Sequence, residues 1–365
     1  MPADLWTLTA RIITSSKSYT VSATVLRILL GLFFCVSAVL KLVSVDDFEL
    51  YIFSFGFAAF DLCSLAARAV IIGEMILGLG LISGWWHNFV NSVTAALLVG
   101  FSGFLIWRMS VGDEGSCHCF GILVEMNPAQ SLLKNAVALA VLAFAWSRPT
   151  ELFAARHDDT SGDRVPEAGE PSRTGAQRFA AWLYRHKGTV AGVISAVAAL
   201  AILIINPPDL WFRWTRGESD DLNVSEFRQY ADSTGVSSGR KVVCFYSINC
   251  EHCRRCAAKM AGIIRRNAIP EESVFCFFMQ EYVDMTEAVS IFFDNYGEGL
   301  HLPFHWIYPL QFIPLTNGSM PLVCLFDDGR LIKEYDRLTI DEAAISEFIL
   351  PPLKAYSANT SSISR

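Results

Sequence analysis

The chain has 365 residues, of which 52% are hydrophobic and only 18% are charged, and its formal net charge is −7 at pH 7. Soluble proteins carry about 25% charged residues, so this composition indicates that part of the chain lies in a lipid bilayer. The negative charge and the lack of a basic stripe argue against nucleic-acid binding, which requires positive groups to neutralise phosphates.

Five apolar segments have about the length of a membrane-spanning helix, which needs roughly 20 residues. They comprise residues 25–43, 66–84, 89–107, 132–146 and 190–205. The first four predict a membrane four-helix bundle within residues 1–148, and the last predicts a fifth, tether helix at residues 188–208. Between them, residues 149–187 are rich in Ser, Gly, Pro, Asp and Glu, which predicts a disordered cytoplasmic linker.

The distribution of basic residues predicts the orientation of these spans. Arg11 and Lys17 precede the first span, and seven Lys or Arg residues lie in residues 148–187. Residues 44–64 and 112–130 contain acidic residues but neither Lys nor Arg. Because cytoplasmic loops are enriched in Lys and Arg, the N-terminus is predicted to be cytoplasmic, in a bacterial inner (cytoplasmic) membrane. The C-terminal domain is then extracytoplasmic, on the same side as residues 112–130.

Residues 219–352 combine short apolar runs with helical patterns, which predicts a soluble α/β domain. Strands are predicted at residues 242–248, 274–279, 321–326 and 331–335, and helices at residues 250–266 and 341–350. Asp327-Asp328-Gly329 favours a hairpin turn between the last two strands. Three cysteines of this domain fall within predicted strands and are expected to be core residues: Cys244, Cys276 and Cys324.

Cys250-Glu251-His252-Cys253 follows the first predicted strand and opens a helix. A helix N-terminus stabilises a thiolate and so lowers the pKa of the thiol. Cys250 is therefore predicted to be the attacking thiol and Cys253 the resolving thiol. The positive charges of His252, Arg254 and Arg255 are expected to stabilise the thiolate further.

The Cys-x-x-Cys pair has an alternative role in metal binding, and the role of the nearby Cys256 is also open. The Cys-x-x-Cys pair could bind zinc together with His301 and His305, but a structural zinc site needs about four ligands and no second Cys-x-x-Cys occurs. No metal is therefore predicted there. Cys256, one turn beyond Cys253, is either a packed core thiol or a third redox partner.

The strand, Cys-x-x-Cys and helix, followed by Met320-Pro321 before the hairpin, resemble the thioredoxin superfamily across residues 219–352. The resemblance implies a thioredoxin-like fold in which Pro321 has a cis peptide bond and faces the dithiol. The chain departs from the family pattern at Asn249, where a Trp usually precedes the first cysteine. Residues 280–317 also exceed what a minimal thioredoxin needs.

A second cysteine pair, Cys117-His118-Cys119, lies between the third and fourth predicted spans. A disulfide between positions i and i+2 closes a strained ring, and strain makes a disulfide easier to reduce. Such a pair suits the passage of electrons. It could instead bind metal through both cysteines and His118, remain as free thiols, or form a cross-link with Cys63.

The first four predicted spans resemble the MauE/DoxX group of membrane proteins over residues 21–148. The matching elements are Arg27-x-x-x-Gly31, Ser37, Lys41-Leu42, Glu74 with Gly78, and Cys117-x-Cys119-Phe120-Gly121. The last of these points to MauE, a family associated with methylamine metabolism and thought to assist disulfide formation in methylamine dehydrogenase. The fused thioredoxin-like domain indicates a broader redox role. The architecture is also similar to bacterial vitamin K epoxide reductase homologues, whose helical bundles reduce quinone.

Charged residues within membrane spans are costly and are usually functional or paired. Glu74 lies near the middle of its predicted span, so it is either a functional residue, with cofactor binding as its candidate role, or a structural partner of Arg27 or a neighbour. Arg27 could instead lie at the cytoplasmic boundary, and the side chain of Lys41 could extend towards the opposite surface.

Together these features predict a membrane-bound thiol–disulfide oxidoreductase acting on thiol-containing exported proteins. In this hypothesis electrons pass from Cys250 and Cys253 to Cys117 and Cys119, and then to a membrane quinone, through mixed disulfides. No covalently bound cofactor is expected. Two alternatives are the transmembrane supply of reductant to an extracytoplasmic reductase and a non-enzymatic assembly factor that holds a client or a metal.

Overall fold

The computed structural model describes residues 3–111, 126–146, 182, 186–216 and 220–350. The predicted Cys-x-Cys site at Cys117 and Cys119 and nearly all of the predicted linker at residues 149–187 lie outside the described residues. The chain forms two compact units. One comprises Met1–Val45 and Arg68–Asn206, and the other comprises Asp46–Ala67 and Pro207–Arg365.

The helices described up to residue 205 are α1 (Ala3–Val43), α2 (Val45–Ser54), α3 (Phe60–Ser83), α4 (His87–Ser110), α5 (Pro128–Trp146) and α6 (Lys187–Ile205). Within the described residues, five helical segments are long and apolar enough to cross a membrane: Val21–Val43, Phe60–Ser83, His87–Ser110, Pro128–Trp146 and Gly188–Ile205. The five predicted spans are confirmed, with ends that shift by a few residues. The protein is therefore a multi-pass membrane protein.

Two glycines allow α1 and α3 to approach closely within the membrane unit. A Cβ atom at Gly31 would lie 2.7 Å from the carbonyl oxygen of Gly78. A Cβ atom at Gly78 would lie 2.6 Å from the Sγ atom of Cys35 and 2.7 Å from the carbonyl oxygen of Gly31. Larger residues would separate the two helices, which explains why glycine occupies both positions.

The second unit contains a five-stranded mixed sheet in the order β3-β2-β1-β4-β5. Its strands are β1 (Arg240–Tyr246), β2 (Val274–Met279), β3 (Phe304–Ile307), β4 (Leu322–Asp327) and β5 (Arg330–Asp336). Strand β1 pairs in parallel with β2 and antiparallel with β4, while β3 extends the parallel part and β5 the antiparallel part. The four predicted strands are confirmed within two residues at each end. Strand β3 lies in residues 280–317, to which the sequence assigned no element.

The α-helices that follow the fifth span are α7 (Asp209–Thr215), α8 (Val224–Thr234), α9 (Glu251–Arg266), α10 (Met285–Tyr296), α11 (Pro309–Leu315) and α12 (Glu342–Ile349). Buried side chains of α9, α10 and α12 cover one face of the sheet, and those of α8 and α11 cover the other. Alternate residues of each strand therefore enter different cores. The predicted core residues Cys244, Cys276 and Cys324 are fully buried, which confirms that prediction.

Residues 46–67 belong to the core of the second unit, although the predicted domain boundary places them with residues 1–148. Phe53, Phe60 and Cys63 are buried in the same cluster as the side chains of α9. The Phe53 ring packs directly against Gly262 of α9. The apolar face of α2 is buried in this way, so a segment predicted as an acidic loop is a structural part of the α/β unit.

Candidate redox site

Cys250 occupies the N-cap position of α9, directly after the turn that follows β1. Its Sγ atom accepts a hydrogen bond of 3.4 Å from the backbone N–H of Cys253. Cys250 is partly exposed, whereas Cys253 is fully buried and its Sγ atom accepts a hydrogen bond of 3.4 Å from the N–H of Ser247. The two thiols therefore have the unequal exposure expected of an attacking and a resolving cysteine.

The environment lowers the pKa of Cys250 from 9.0 to about 6. The largest cause is the hydrogen bond from the Cys253 thiol; the backbone N–H groups of Cys253 and His252 and the charge of His252 add to it, against the effect of partial burial. The pKa of Cys253 is raised, because its proton is held by the hydrogen bond to Cys250 and its side chain is buried. At neutral pH the reduced pair is thus one partly exposed thiolate and one buried thiol.

The predicted contribution of Arg254 and Arg255 to the thiolate is not supported by their geometry. The Nε atom of Arg254 donates a hydrogen bond of 3.0 Å to the carbonyl oxygen of Ile248, and its guanidinium lies 5.4 Å from the ring centroid of Tyr296. Arg255 binds three carboxylates, those of Asp46, Asp47 and Glu251. Both guanidinium groups therefore have other partners, while the charge of His252 is among the main causes of the lowered pKa of Cys250.

Glu281 is a component of the site that the sequence analysis missed. Its carboxylate accepts hydrogen bonds from the Ser247 hydroxyl at 2.8 Å, the Ile248 N–H at 2.7 Å and the Asn249 N–H at 3.2 Å. Glu281 follows β2, the parallel neighbour of β1, and the carboxyl ends of parallel strands share one edge of a sheet. Its position just after a strand predicted next to β1 is therefore the sequence signal that could have identified Glu281. The carboxylate orders the turn that presents Cys250.

Pro321 directly precedes β4, and the Met320–Pro321 peptide bond is cis, as the resemblance to thioredoxins implies. In the antiparallel register Leu322 faces Phe245, near the end of β1 that leads to Cys250. Met320 and Cys250 pack against the same buried cluster. The register therefore puts Pro321 at the edge of the sheet that carries the dithiol.

The remaining cysteines near α9 are buried. Cys256 is 3% exposed, its Sγ atom lies 3.9 Å from the hydroxyl of Tyr246, and burial raises the pKa of its thiol. This placement favours the packed core thiol over a third redox partner. Cys63 is 2% exposed and its thiol donates to the carbonyl oxygen of Ala58. Burial of Cys63 disfavours its predicted cross-link with Cys117 or Cys119.

In the membrane unit, Glu74 pairs with Lys41 at 2.6 Å. The hydroxyl of Ser37 donates to Glu74 at 3.0 Å and accepts from the Lys41 ammonium at 2.8 Å. Glu74 lies near the middle of α3, as predicted, and its partners Ser37 and Lys41 lie in the last two turns of α1. Of the predicted alternatives for Glu74, the structure shows a pairing with a neighbour other than Arg27.

The described residues contain no group of three or more His, Cys, Asp or Glu side chains arranged to hold a metal ion. His301, one of the possible zinc ligands, lies 3.3 Å from a carboxylate oxygen of Asp294. The possible metal ligands Cys117, His118 and Cys119 lie outside the described residues.

Comparison with known proteins gives two findings for this chain. Residues 19–148 match the family described as methylamine utilisation protein MauE. The chain is 24% identical over 347 residues to Protein TlpB of Flavobacterium psychrophilum, and the match covers 86% of this chain and 91% of that protein. No solved structure matches significantly. The first part of this membrane protein is therefore MauE-like, and it is joined to an α/β domain that carries a dithiol.

Proposed function

We propose that this protein is a membrane-bound thiol–disulfide oxidoreductase that supports disulfide formation in exported proteins. The observation that carries this proposal is the unequal pair at the start of α9. Cys250 is accessible and has a pKa of about 6, while Cys253 is buried and protonated. Stabilising the thiolate stabilises the reduced form, which makes the corresponding disulfide a stronger oxidant.

The α/β domain fits a thioredoxin-like fold in several independent features. The central strand β1 leads into the dithiol helix, its parallel neighbour is β2, and the antiparallel hairpin β4–β5 follows a cis proline. Helices cover both faces of the sheet. Residues 280–317 add α10 and the edge strand β3 to this arrangement, which accounts for the extra length.

The proposed reaction begins with the disulfide form of Cys250 and Cys253. A client thiolate attacks the Sγ atom of Cys250, a mixed disulfide forms, and Cys253 leaves and takes up a proton. A second client thiolate attacks the client sulfur of that mixed disulfide and releases Cys250 as a thiolate. The client thus loses two electrons and gains one disulfide, and the low pKa of Cys250 makes it a good leaving group.

Reoxidation of Cys250 and Cys253 is assigned to the Cys117–Cys119 disulfide, and a membrane quinone is the proposed final acceptor. The proposal places both pairs on the extracytoplasmic side, as expected from the charge distribution of the loops. The relative TlpB aligns over most of both chains, which supports treating the membrane segment and the dithiol domain as one functional protein.

The test is the redox state of each cysteine pair in membranes, measured by alkylation mass-tagging with and without added quinone. We expect both pairs to be disulfides with quinone and to accumulate as thiols without it. Cys117→Ser should leave Cys250 and Cys253 reduced in the presence of quinone, whereas Cys250→Ser should leave client proteins reduced. Persistent reduction of Cys250 and Cys253 in the unmodified protein under all conditions would contradict the proposal.

A further inference from the structure

An apolar groove of about 670 Å³ lies in the membrane unit between α1 and α5. Small-molecule sites have volumes of about 300–1,000 Å³, so this groove can hold a ligand of that size. Its walls include Leu29 and Phe33 of α1 and Val137 of α5. Both helices contain membrane-spanning segments, so a ligand of this groove must be soluble in lipid.

Polar groups occur at one end of the groove, on the first half of α5. Gln130 and Lys134 line it there, and because they are four positions apart they lie on the same face of the helix. The ammonium of Lys134 lies 5.9 Å from the ring centroid of Phe33 and 5.8 Å from that of Phe101. A cation beside aromatic rings and an amide favour a flat headgroup whose oxygens accept hydrogen bonds.

The long sides of the groove face the lipid. The exposed fractions of Leu29, Leu133 and Val137 are 55%, 68% and 56%, and each of these residues lies in a membrane-spanning segment. A ligand can therefore enter sideways from the bilayer and keep a hydrocarbon tail along these side chains. The ligand that fits is amphiphilic, with an oxygen-bearing head and a long apolar tail.

We propose that this groove is the site of a membrane quinone, the electron acceptor of the oxidoreductase. This inference rests on the proposed function, because oxidation of a dithiol needs an acceptor of two electrons. The quinone takes two electrons and two protons from a dithiol and becomes a quinol, while one S–S bond forms and two S–H bonds break. Lys134 and Gln130 bind the quinone oxygens, and the positive charge of Lys134 stabilises the negative charge that develops on them.

The covalent chain supports this assignment. Met126 lines the groove, and Cys119 precedes it by seven positions in the sequence. Seven residues span at most about 25 Å when fully extended. The length of the chain therefore limits how far Cys119 can lie from Met126, and the proposed relay ends at Cys117 and Cys119.

Binding is tested with the full-length protein in nanodiscs, using a photoreactive azido-quinone as the probe. Leu29→Trp and Val137→Trp fill the groove, and we expect each to reduce labelling at least tenfold. Leu32→Trp and Ala136→Trp are matched controls on the same helices, since both positions are exposed and neither lines the groove. The controls should label within twofold of the unmodified protein. Equal labelling of all five proteins would overturn the assignment.

The same experiment separates a quinone site from a phospholipid site. Unlabelled quinone should abolish labelling, and an excess of added anionic phospholipid should not; equal competition by the phospholipid would identify a lipid site and overturn the proposal. Lys134→Met should slow quinone reduction at least tenfold, and Lys134→Arg should restore most of the rate. Equal rates in the Met and Arg variants would contradict the role of the charge.

Labelling needs no electron transfer, so failure of this inference is distinguishable from failure of the proposed function. If the groove variants lose labelling but the protein never oxidises its dithiols, the quinone site is supported and the relay is rejected. Quinone-dependent dithiol oxidation that is unchanged in Leu29→Trp and Val137→Trp would preserve the relay and reject the groove.

Discussion

Arg255 binds Asp47 through two parallel hydrogen bonds of 3.0 Å, from Nε to Oδ1 and from Nη2 to Oδ2, across 208 positions of the sequence. Asp47 lies in α2, which connects the first two membrane spans, and Arg255 lies two positions after Cys253 in the dithiol helix. These hydrogen bonds therefore join the dithiol helix α9 to α2. In the sequence, α2 lies between two membrane-spanning helices. Along the sequence the chain therefore passes between the two units three times, after Val45, after Ala67 and after Asn206.

Replacing Arg255 should release α2 from the dithiol helix. Arg255→Lys keeps the charge but loses the two-pronged geometry, and hydrogen bonds to charged groups contribute about 1.5–3 kcal/mol each. We expect hydrogen exchange of the α2 amides to accelerate at least tenfold. Arg265→Lys is the control on the same helix, since its partner is Glu298 and its side chain is half exposed. Comparable acceleration in both variants would show that the Asp47 contact is unimportant.

The low pKa of Cys250 should depend on a hydrogen-bond donor at position 253. Alkylation of Cys250 should be half-maximal near pH 6, since its pKa is about 6. Cys253→Ala removes the donor, so the midpoint should rise towards 9, the ordinary value for this thiol. Cys253→Ser retains a hydroxyl donor and should give a smaller rise. A midpoint that stays near 6 in Cys253→Ala would assign the low pKa to the backbone N–H groups and the helix instead.

Glu281 should act as a positioning residue for the turn before Cys250. Glu281→Ala removes the carboxylate, so the backbone N–H groups of Ile248 and Asn249 lose their acceptor. A buried donor left without a partner costs about 1–3 kcal/mol. We expect a comparable loss of unfolding free energy, faster hydrogen exchange at residues 247–249 and a shifted pH profile of Cys250 alkylation. Ser247→Ala, which removes only one of the three hydrogen bonds, should have a smaller effect on all three measurements.

The elements that were predicted correctly have local signals. The five spans are apolar runs, β2 is a short apolar strand, and the start of α9 is marked by the cysteines themselves. The missed features depend on tertiary contacts. Strand β3 has only four residues and takes its place through pairing with β2, and α2 is stabilised by burial against α9. The role of Glu281 and the partners of Arg255 likewise follow from strand neighbours and helix docking, which one sequence does not display.

The ion pair between Lys41 and Glu74 should matter more to stability when only one partner is removed. Removing one partner of a buried pair leaves a charge without compensation, which costs about 3–5 kcal/mol. Lys41→Met and Glu74→Gln should therefore each lower the unfolding temperature in detergent more than the double variant does. A double variant whose loss equals the sum of the two single losses would show that the two residues act independently.

Gly78 should tolerate no side chain, because a Cβ atom there meets backbone as well as the Cys35 thiol. The carbonyl oxygen of Gly31 would lie 2.7 Å away, and backbone cannot yield without moving α1 from α3. Overpacking of this kind costs about 1–3 kcal/mol.

Gly73→Ala is the matched control in the same helix, since nothing lies within 4 Å of a Cβ atom there. We expect Gly78→Ala to lower the unfolding temperature in detergent and Gly73→Ala to leave it unchanged or raise it slightly, because alanine favours helices. Equal stability of the two variants would show that α1 and α3 do not pack through these glycines.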